Sequence, residues 1–263
     1  MQSSEQLQIL QHLVSLNSVN GNEAAVADYI KKLFANHGIE SRLIPYAPSR
    51  SNLVYAHNGS LNYHVFCQGK GAHSSMPEKG INAITNLIKF VTAEKTAFDN
   101  APVSPELGPL VHNVTVFKGG EQVNSIPANA ELQGNIRPIP EFDNAAVIQR
   151  LHEVVDQLNQ EPDVHLTLHV DYSFKPIISD IHAPLLELVK TIADDEFGHP
   201  IQRQVIHGAT DASEFTKSPH HFPVAVYGAG EWSAAHSTNE SVDLDLFAHV
   251  QHVYQKLAEQ FLA

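Results

Sequence analysis

Three short segments combine histidine, glycine and small polar residues in patterns that could support chemistry. The first, GKGAHSSMPEKGINAI, places His73 directly after a glycine-rich turn. The second, HGATDASEF, follows an apolar run, and the backbone N–H groups of such a strand-to-helix turn can bind an anion. The third, GAGEWSAAHSTNE, places His236 just beyond another apolar run. Histidine is the commonest metal ligand and a frequent general base, so each segment is a candidate site, with a purely structural turn as the alternative.

A fourth segment, VNSIPANAELQGNIRP, contains Asn124 and Arg137. The planar guanidinium of an arginine can form two parallel hydrogen bonds with one carboxylate. The segment therefore indicates a binding site for a carboxylate, and an ordinary surface ion pair is the alternative.

The elements that must position these residues follow from the hydrophobic pattern. Between residues 61 and 171 the order is strand, helix, strand, strand, helix, strand, which predicts a ferredoxin-like unit with two helices on one face of an antiparallel sheet. Asp143 is expected to cap the second of these helices. The final strand, DVHLTLHVDY, alternates apolar and polar residues almost perfectly.

The remainder of the chain predicts an α/β domain built from both ends, residues 1–60 and 172–263. Two amphipathic helices open it, and IESRLIP is expected to be a strand. Near the other end RQVIHG and FPVAVYG are expected to be buried strands, followed by a last helix that contains Val250 and Tyr254. The predicted fold is thus an α/β domain with an inserted α+β lid.

Composition excludes several classes of protein. Lysine and arginine number 16 against 29 acidic residues, so the formal net charge is 16 − 29 = −13, which argues against binding to nucleic acid or to anionic lipid. No run approaches the ~20 apolar residues of a membrane span. The start, MQSSEQLQIL, lacks the pattern of a secretory signal, and the single cysteine, Cys67, fits a reducing compartment, so the expected location is the cytoplasm.

Together the motifs resemble the co-catalytic zinc metallopeptidase and amidohydrolase family that includes succinyl-diaminopimelate desuccinylase, acetylornithine deacetylase, carboxypeptidase G and aminoacylase. The resemblance runs through SLNSVNGNE, GKGAHSSMPEKGINAI, VNSIPANAELQGNIRPIP, GATDASEF and AHSTNE, in that order. The desuccinylase branch is the most similar. The resemblance implies a zinc-peptidase-like α/β domain whose inserted lid forms a homodimer.

The resemblance also implies roles for individual residues. His73 would reach across the dimer and stabilise an oxyanion. Asn124 and Arg137 would hold the carboxylate of a small N-acyl amino acid. The turn formed by Gly208, Ala209 and Thr210 would back the substrate, and His236 would be the last ligand of a zinc (or cobalt) centre.

Other family motifs are missing from this chain. The sequence contains no GRG segment and no pair of adjacent glutamates, which in the family supply a general base and a metal ligand. One HxD string, His169 to Asp171, lies in the last lid strand and is interpreted as a coincidence. The family's first strand and the strand that enters the lid abut near Val54, so the sequence indicates an internal deletion and a truncated α/β domain.

Two interpretations follow. The chain is a metal-dependent amidohydrolase of lysine and diaminopimelate biosynthesis by resemblance, inactive in this form because a two-metal site needs several ligands and a base. Alternatively, it is a non-catalytic deletion form that retains dimerisation and ligand binding. In either case the truncated sheet should expose Ile44, Leu53, Val205 and Val226.

Overall fold

The computed structural model describes residues 3–16, 24–39, 57–229 and 241–261. These residues form two compact units. One consists of residues 55–187 and 202–225, and the other consists of residues 1–54, 188–201 and 226–263, each as far as it is described.

The described chain contains six α-helices, eight strands and two 3₁₀ segments. In order they are α1 (Ser3–Ser15), α2 (Ala24–Asn36), β1 (Ser60–Gln68), β2 (Ala72–His73), a 3₁₀ turn (Pro77–Lys79), α3 (Ala83–Ala97), β3 (Val103–Ser104), β4 (Gly108–Pro109), β5 (Val111–Gly119), β6 (Ser125–Ile126), β7 (Asn129–Arg137), α4 (Asn144–Leu158), β8 (Leu166–Phe174), α5 (Pro184–Phe197), a second 3₁₀ helix (Asp211–Lys217) and α6 (Leu244–Phe261).

The larger unit is built on a four-stranded antiparallel sheet. Its strand order is β5-β7-β1-β8, and α3 and α4 supply the two helices. In the register of β1 and β7, Leu61 faces Ile136 and Tyr63 faces Gly134. The predicted order of strand, helix, strand, strand, helix, strand is therefore confirmed, while the predicted domain boundaries stay a prediction.

One face of the sheet and the two helices enclose the main core. Side chains of β1 alternate between buried and more exposed positions, as expected for a strand with one covered face. The buried set of this core includes Leu61, Tyr63, Val65, Leu87, Phe90, Leu132, Ile136, Val147 and Leu151. The predicted apolar stripe of α4 is buried. In α3, Leu87 and Phe90 are buried, whereas Ile88, which the helical spacing also predicts to be buried, is 51% exposed.

Side-chain caps fix where the two helices begin. The Asn82 side chain accepts hydrogen bonds from the backbone N–H groups of Ile84 and Thr85. The carboxylate of Asp143 accepts one from the N–H of Ala146 at 3.0 Å, which confirms the predicted cap. Each cap satisfies donors that the first turn of a helix leaves unpaired.

The expected strands RQVIHG and FPVAVYG are not regular strands, and this prediction is wrong for their described residues. Ile206 forms an isolated parallel bridge with His57, which also bridges Ile177. A strand is stabilised by hydrogen bonds to its neighbours, so a segment without a full-length partner forms only single bridges. Val205 is 38% exposed, as expected, whereas Val226 is half-buried, so the prediction of exposure is wrong for that residue. Ile44 and Leu53 lie outside the described residues.

The smaller unit contains helical elements in its described part. Helices α1 and α2 lie where predicted, whereas the predicted strand IESRLIP falls almost wholly outside the described residues. Ile192 and Ala193 of α5 pack against Val253 of α6 and form a small buried core. None of the helices in the described ranges is long and apolar enough to cross a membrane.

Candidate substrate-binding site

Arg137 stands at the carboxyl end of β7, where the main chain of β1 begins. The carbonyl of Pro138 accepts a hydrogen bond from the N–H of Gly59 at 2.8 Å, which ties this end of β7 to the segment that precedes β1. Arg137 is half-buried and forms at least one polar contact. The sheet therefore holds the guanidinium beside residues 57–59.

His57 is the central side chain of this end of the unit. Its imidazole is fully buried, and Nδ1 donates to the carbonyl of Asn58 at 2.6 Å. Its Nε2 accepts a hydrogen bond from the backbone N–H of Thr210 at 3.1 Å. Burial lowers the pKa of His57, and the positive charge of Arg137 lowers it further. Because Nε2 acts as an acceptor, the ring is in its neutral form, and it connects the segment before β1 to the turn that contains Thr210.

The turn 208–210 is anchored on both sides. The hydroxyl of Thr210 accepts from the N–H of Ala212 at 3.4 Å and begins the second 3₁₀ helix. Within that helix, Ser213 donates to the carbonyl of Lys175 at 2.6 Å. Before the turn, the His207 ring contacts the Asn58 side chain at 3.3 Å. The structure thus brings Gly208, Ala209 and Thr210 into the same region as Arg137.

His73 and Asn124 form a second group. Strand β2 pairs with β6, with His73 opposite Ser125, and the carbonyl of Asn124 accepts from the N–H of Ser74 at 2.9 Å. The His73 ring contacts the hydroxyl of Ser75 at 2.8 Å. His73 and Asn124 are both exposed. They are neighbours on a surface and are free to approach a ligand or another molecule.

The two groups lie at opposite ends of the sheet. Asn124 lies in the connection between β5 and β7, before the first residue of β7, Asn129, and Arg137 is the last residue of that strand. At ~3.3 Å per residue, the strand separates its two ends by roughly 26 Å. An N-acyl amino acid is much shorter than this distance. One molecule of ligand therefore cannot contact Asn124 and Arg137 of the same chain.

The predicted metal ligand His236 lies outside the described residues. Among the described residues, one group of three side chains could hold a metal ion, and it consists of Glu196, His249 and His252. This group contains none of the residues that the family resemblance assigns to the zinc centre. The residues described here do not fit the family's two-metal site, and we derive no step through it.

The HxD string is an ion-pair cluster on the polar face of the sheet. Asp171 contacts Nε2 of His64 at 2.7 Å and Nε2 of His169 at 3.4 Å. The partner His64 comes from β1, directly opposite His169 in the register. The HxD residues therefore have a structural role, since they form contacts between neighbouring strands of the lid.

Sequence reasoning missed the buried histidine and its neighbours. No sequence motif points to His57 or Asn58, and the segment HGATDASEF assigns no role to its first residue, His207. The available signal was weak, because the partners His57 and Thr210 are 153 positions apart along the chain.

A cleft of about 470 Å³ lies elsewhere in the same unit. It is lined by residues 176–180 and 220–224 together with Ala183, Phe215 and Ser218. None of the predicted site residues that the structure describes lines it.

Comparison with known proteins shows which family the chain resembles. Residues 55–163 match the model of the peptidase dimerisation domain of M20 peptidases. A probable succinyl-diaminopimelate desuccinylase of Staphylococcus epidermidis is 29% identical over 96% of this chain and 68% of its own length. These similarities fit the M20 peptidase family that the sequence motifs suggest. An acetylornithine deacetylase of Photorhabdus laumondii is 25% identical over 81% of this chain and 55% of that protein.

Solved M20 structures share the fold. An M20 metallo-carboxypeptidase of Sulfolobus solfataricus superposes with a TM-score of 0.62 at 17% identity, over 95% of this chain and 73% of that one. An aminopeptidase of Bacillus cereus gives 0.59 at 23% identity, over 80% and 54%. The chain thus spans about two thirds of the staphylococcal desuccinylase and about half of the aminopeptidase. The predicted α/β architecture of the zinc-peptidase type and the suspected family are confirmed.

Proposed function

We propose that this M20 protein binds a small N-acyl amino acid of the desuccinylase and deacetylase substrate class, and that the chain as given does not hydrolyse it. The named relatives support an amidohydrolase ancestry. The finer assignments, a cytoplasmic protein related to lysine and diaminopimelate biosynthesis, are part of this proposal.

The contact between His57 and Thr210 is the observation that carries the binding proposal. It connects the turn 208–210 to the strand end that holds Arg137. A guanidinium that is partly shielded from water binds a carboxylate strongly in the two-pronged geometry. The backbone of the adjacent turn would line the remainder of the ligand.

We infer that each site is completed by the partner chain of a homodimer. Arg137 and the turn would come from one chain, and His73 and Asn124 would come from the other. The separation of about 26 Å along β7 supports this arrangement, because both groups cannot contact one small ligand within a chain. The match to a dimerisation domain supports the same assembly.

The proposed absence of hydrolysis follows from the metal ligands and the general base that the sequence lacks. In the family the reaction uses zinc or cobalt, which polarises the scissile carbonyl and generates a nucleophilic hydroxide from water. This sequence retains His236 as the one match to a family ligand and has no adjacent glutamates to supply the base. We therefore propose that no two-metal centre forms in this chain.

Titration calorimetry with N-succinyl-diaminopimelate tests the binding site. The parent should bind, and Arg137→Ala should weaken the affinity by at least about tenfold, as expected for loss of a charge-assisted pair. Arg137→Lys should weaken it almost as much, because lysine keeps the charge but not the planar fork. Equal affinity of Arg137→Lys and the parent would contradict the proposal.

Mixing two variants that each bind the ligand poorly tests whether the two chains of a dimer share the site. His73→Ala and Arg137→Ala homodimers should each bind poorly. When equal amounts are mixed and allowed to exchange subunits, about a quarter of all sites should contain both residues and recover the parent affinity. No recovery in a mixture whose subunits have exchanged would show that the groups act within one chain.

A further inference from the structure

Two histidines of α6 and one glutamate of α5 meet at a single carboxylate oxygen. His249 and His252 are three positions apart on a helix and therefore lie on the same face. Glu196 belongs to the last turn of α5. The packing of Ile192 against Val253 in the small core holds the two helices together beside this cluster.

The distances within the cluster match those between the ligands of one metal ion. Nδ1 of His249 lies 3.0 Å from Oε1 of Glu196, and Nδ1 of His252 lies 3.2 Å from the same oxygen. All three ligand atoms are within 4.8 Å of one another. A tetrahedral zinc ion with bonds of ~2.0–2.1 Å separates its ligand atoms by ~3.3 Å. An ion could therefore replace the two N–H protons with small movements of the side chains.

Neighbouring side chains fix the orientation of the Glu196 carboxylate. Nζ of Lys256 contacts Oε2 at 2.7 Å, which leaves Oε1 directed toward the histidines. Hydrogen bonds from Lys256, His249 and His252 hold both oxygens of the Glu196 carboxylate in place. The side chain of Glu196 is 12% exposed, whereas the histidines are about half exposed. The carboxylate is thus fixed in its ligand form, with the imidazoles accessible from solvent.

We propose that Glu196, His249 and His252 form a binding site for a divalent transition-metal ion of the zinc type, which links α5 to α6. Two imidazoles and one carboxylate suit zinc, nickel or copper better than calcium or magnesium. Water would complete the coordination. The bound ion would fasten the C-terminal helix to its neighbour and stabilise the folded chain.

Titration of the metal-free protein with zinc ions alone tests the site. The chain contains 17 histidines, so a matched control is essential. His252→Asn keeps an amide that can donate to Glu196 but removes an imidazole ligand. His182→Ala removes a histidine whose Nδ1 lies 3.0 Å from a carboxylate oxygen of Glu187, the same distance as in the cluster.

The zinc affinity of the tightest site should fall by about tenfold or more in His252→Asn. Even the loss of a residue that only hydrogen-bonds to a metal ligand lowers metal affinity by this much. The affinity should be unchanged in His182→Ala. Zinc should also raise the melting temperature of the parent and of His182→Ala but not that of His252→Asn. Circular dichroism without zinc checks that His252→Asn is folded, and His249→Asn provides a second variant.

The proposal is overturned if both asparagine variants bind zinc as tightly as the parent. It is also overturned if His236→Ala, and not His252→Asn, abolishes the tightest binding.

Discussion

At residue 57 an imidazole supplies a hydrogen-bond acceptor for the backbone of a half-buried turn. Its Nε2 atom receives the N–H of Thr210 while Nδ1–H is bound to the carbonyl of Asn58. This arrangement is possible only for the neutral ring with its proton on Nδ1. A protonated ring would lose the acceptor and would place a second positive charge near Arg137.

The buried ring predicts that acid weakens the fold. Because the pKa of His57 is lowered in the folded state, the unfolded chain binds the proton more tightly, and stability falls as the pH drops below the ordinary histidine value of about 6.5. His57→Gln should lower the free energy of unfolding at pH 8 by about 1–3 kcal/mol. In urea unfolding, the difference in the free energy of unfolding between parent and variant should become smaller from pH 8 to pH 5.5. A constant difference would contradict this account.

A second histidine responds to pH in the opposite direction. Nδ1 of His112 lies 2.6 Å from Oε1 of the buried Glu94, and this hydrogen bond raises the pKa of His112. The folded chain therefore binds the proton more tightly than the unfolded chain. The stabilisation is complete below about pH 6.5 and is lost as the pH rises through the raised value.

Glu94→Gln tests this pair. At pH 6 the variant should be less stable than the parent by about 1–3 kcal/mol, the cost of losing a hydrogen bond to a charged group. The difference should shrink as the pH rises toward 9, because deprotonation of His112 removes the charge from this hydrogen bond. Urea unfolding at the two pH values measures it, and a larger difference at pH 9 would show that the assigned sign is wrong.

At the scale of elements, β1 and β7 depend on a close approach of a ring to a glycine. Tyr63 lies opposite Gly134 in the register and is fully buried. A Cβ atom at position 134 would lie 2.3 Å from Cζ and Oη of Tyr63. The ring occupies the space that any side chain at position 134 would need.

Gly134→Ala should therefore destabilise the lid by about 1–3 kcal/mol through overpacking. Gly71→Ala is the control, because a Cβ atom there would have its nearest neighbour at 3.8 Å. Its effect should stay within about 0.5 kcal/mol. Thermal unfolding of the two variants measures both effects, and equal melting temperatures would contradict the packing argument.

The sequence predicts the lid well because its signals are local. The alternation in β8 and the apolar stripe of α4, which begins after Asp143, each depend on residues close together in the chain. The predicted strands around Ile206 failed because regular strands need partner strands, which no local pattern supplies. Local sequence patterns also cannot predict the contacts of His57 with Thr210 and of Glu196 with His249, because each contact joins residues that are far apart in the chain.

At the scale of the whole molecule, the sheet has two edge strands, β5 and β8. Strand β5 presents the exposed apolar side chains of Val111 and Phe117. Exposed positions on β8 include the polar residues Thr167 and His169. We expect the homodimer to form through β5, since an apolar edge is the more favourable one to cover.

Lysine substitutions on each edge distinguish the two strands. The double variant Asn113→Lys/Thr115→Lys places two charges on β5 and should yield a monomer in sedimentation at micromolar concentration. Thr167→Lys/His169→Lys places the same charges on β8 and should remain a dimer. The reverse result, or a monomeric parent, would contradict the proposed interface.

The central claim is that this chain binds an N-acyl amino acid without cleaving it. The most direct measurement is proton NMR of N-succinyl-diaminopimelate incubated with the protein and with zinc or cobalt, which follows ligand binding and release of succinate in one sample. We predict line broadening of the ligand signals that Arg137→Ala abolishes, and no succinate above the protein-free control. Succinate release that requires the metal and is lost in His236→Ala would contradict the account.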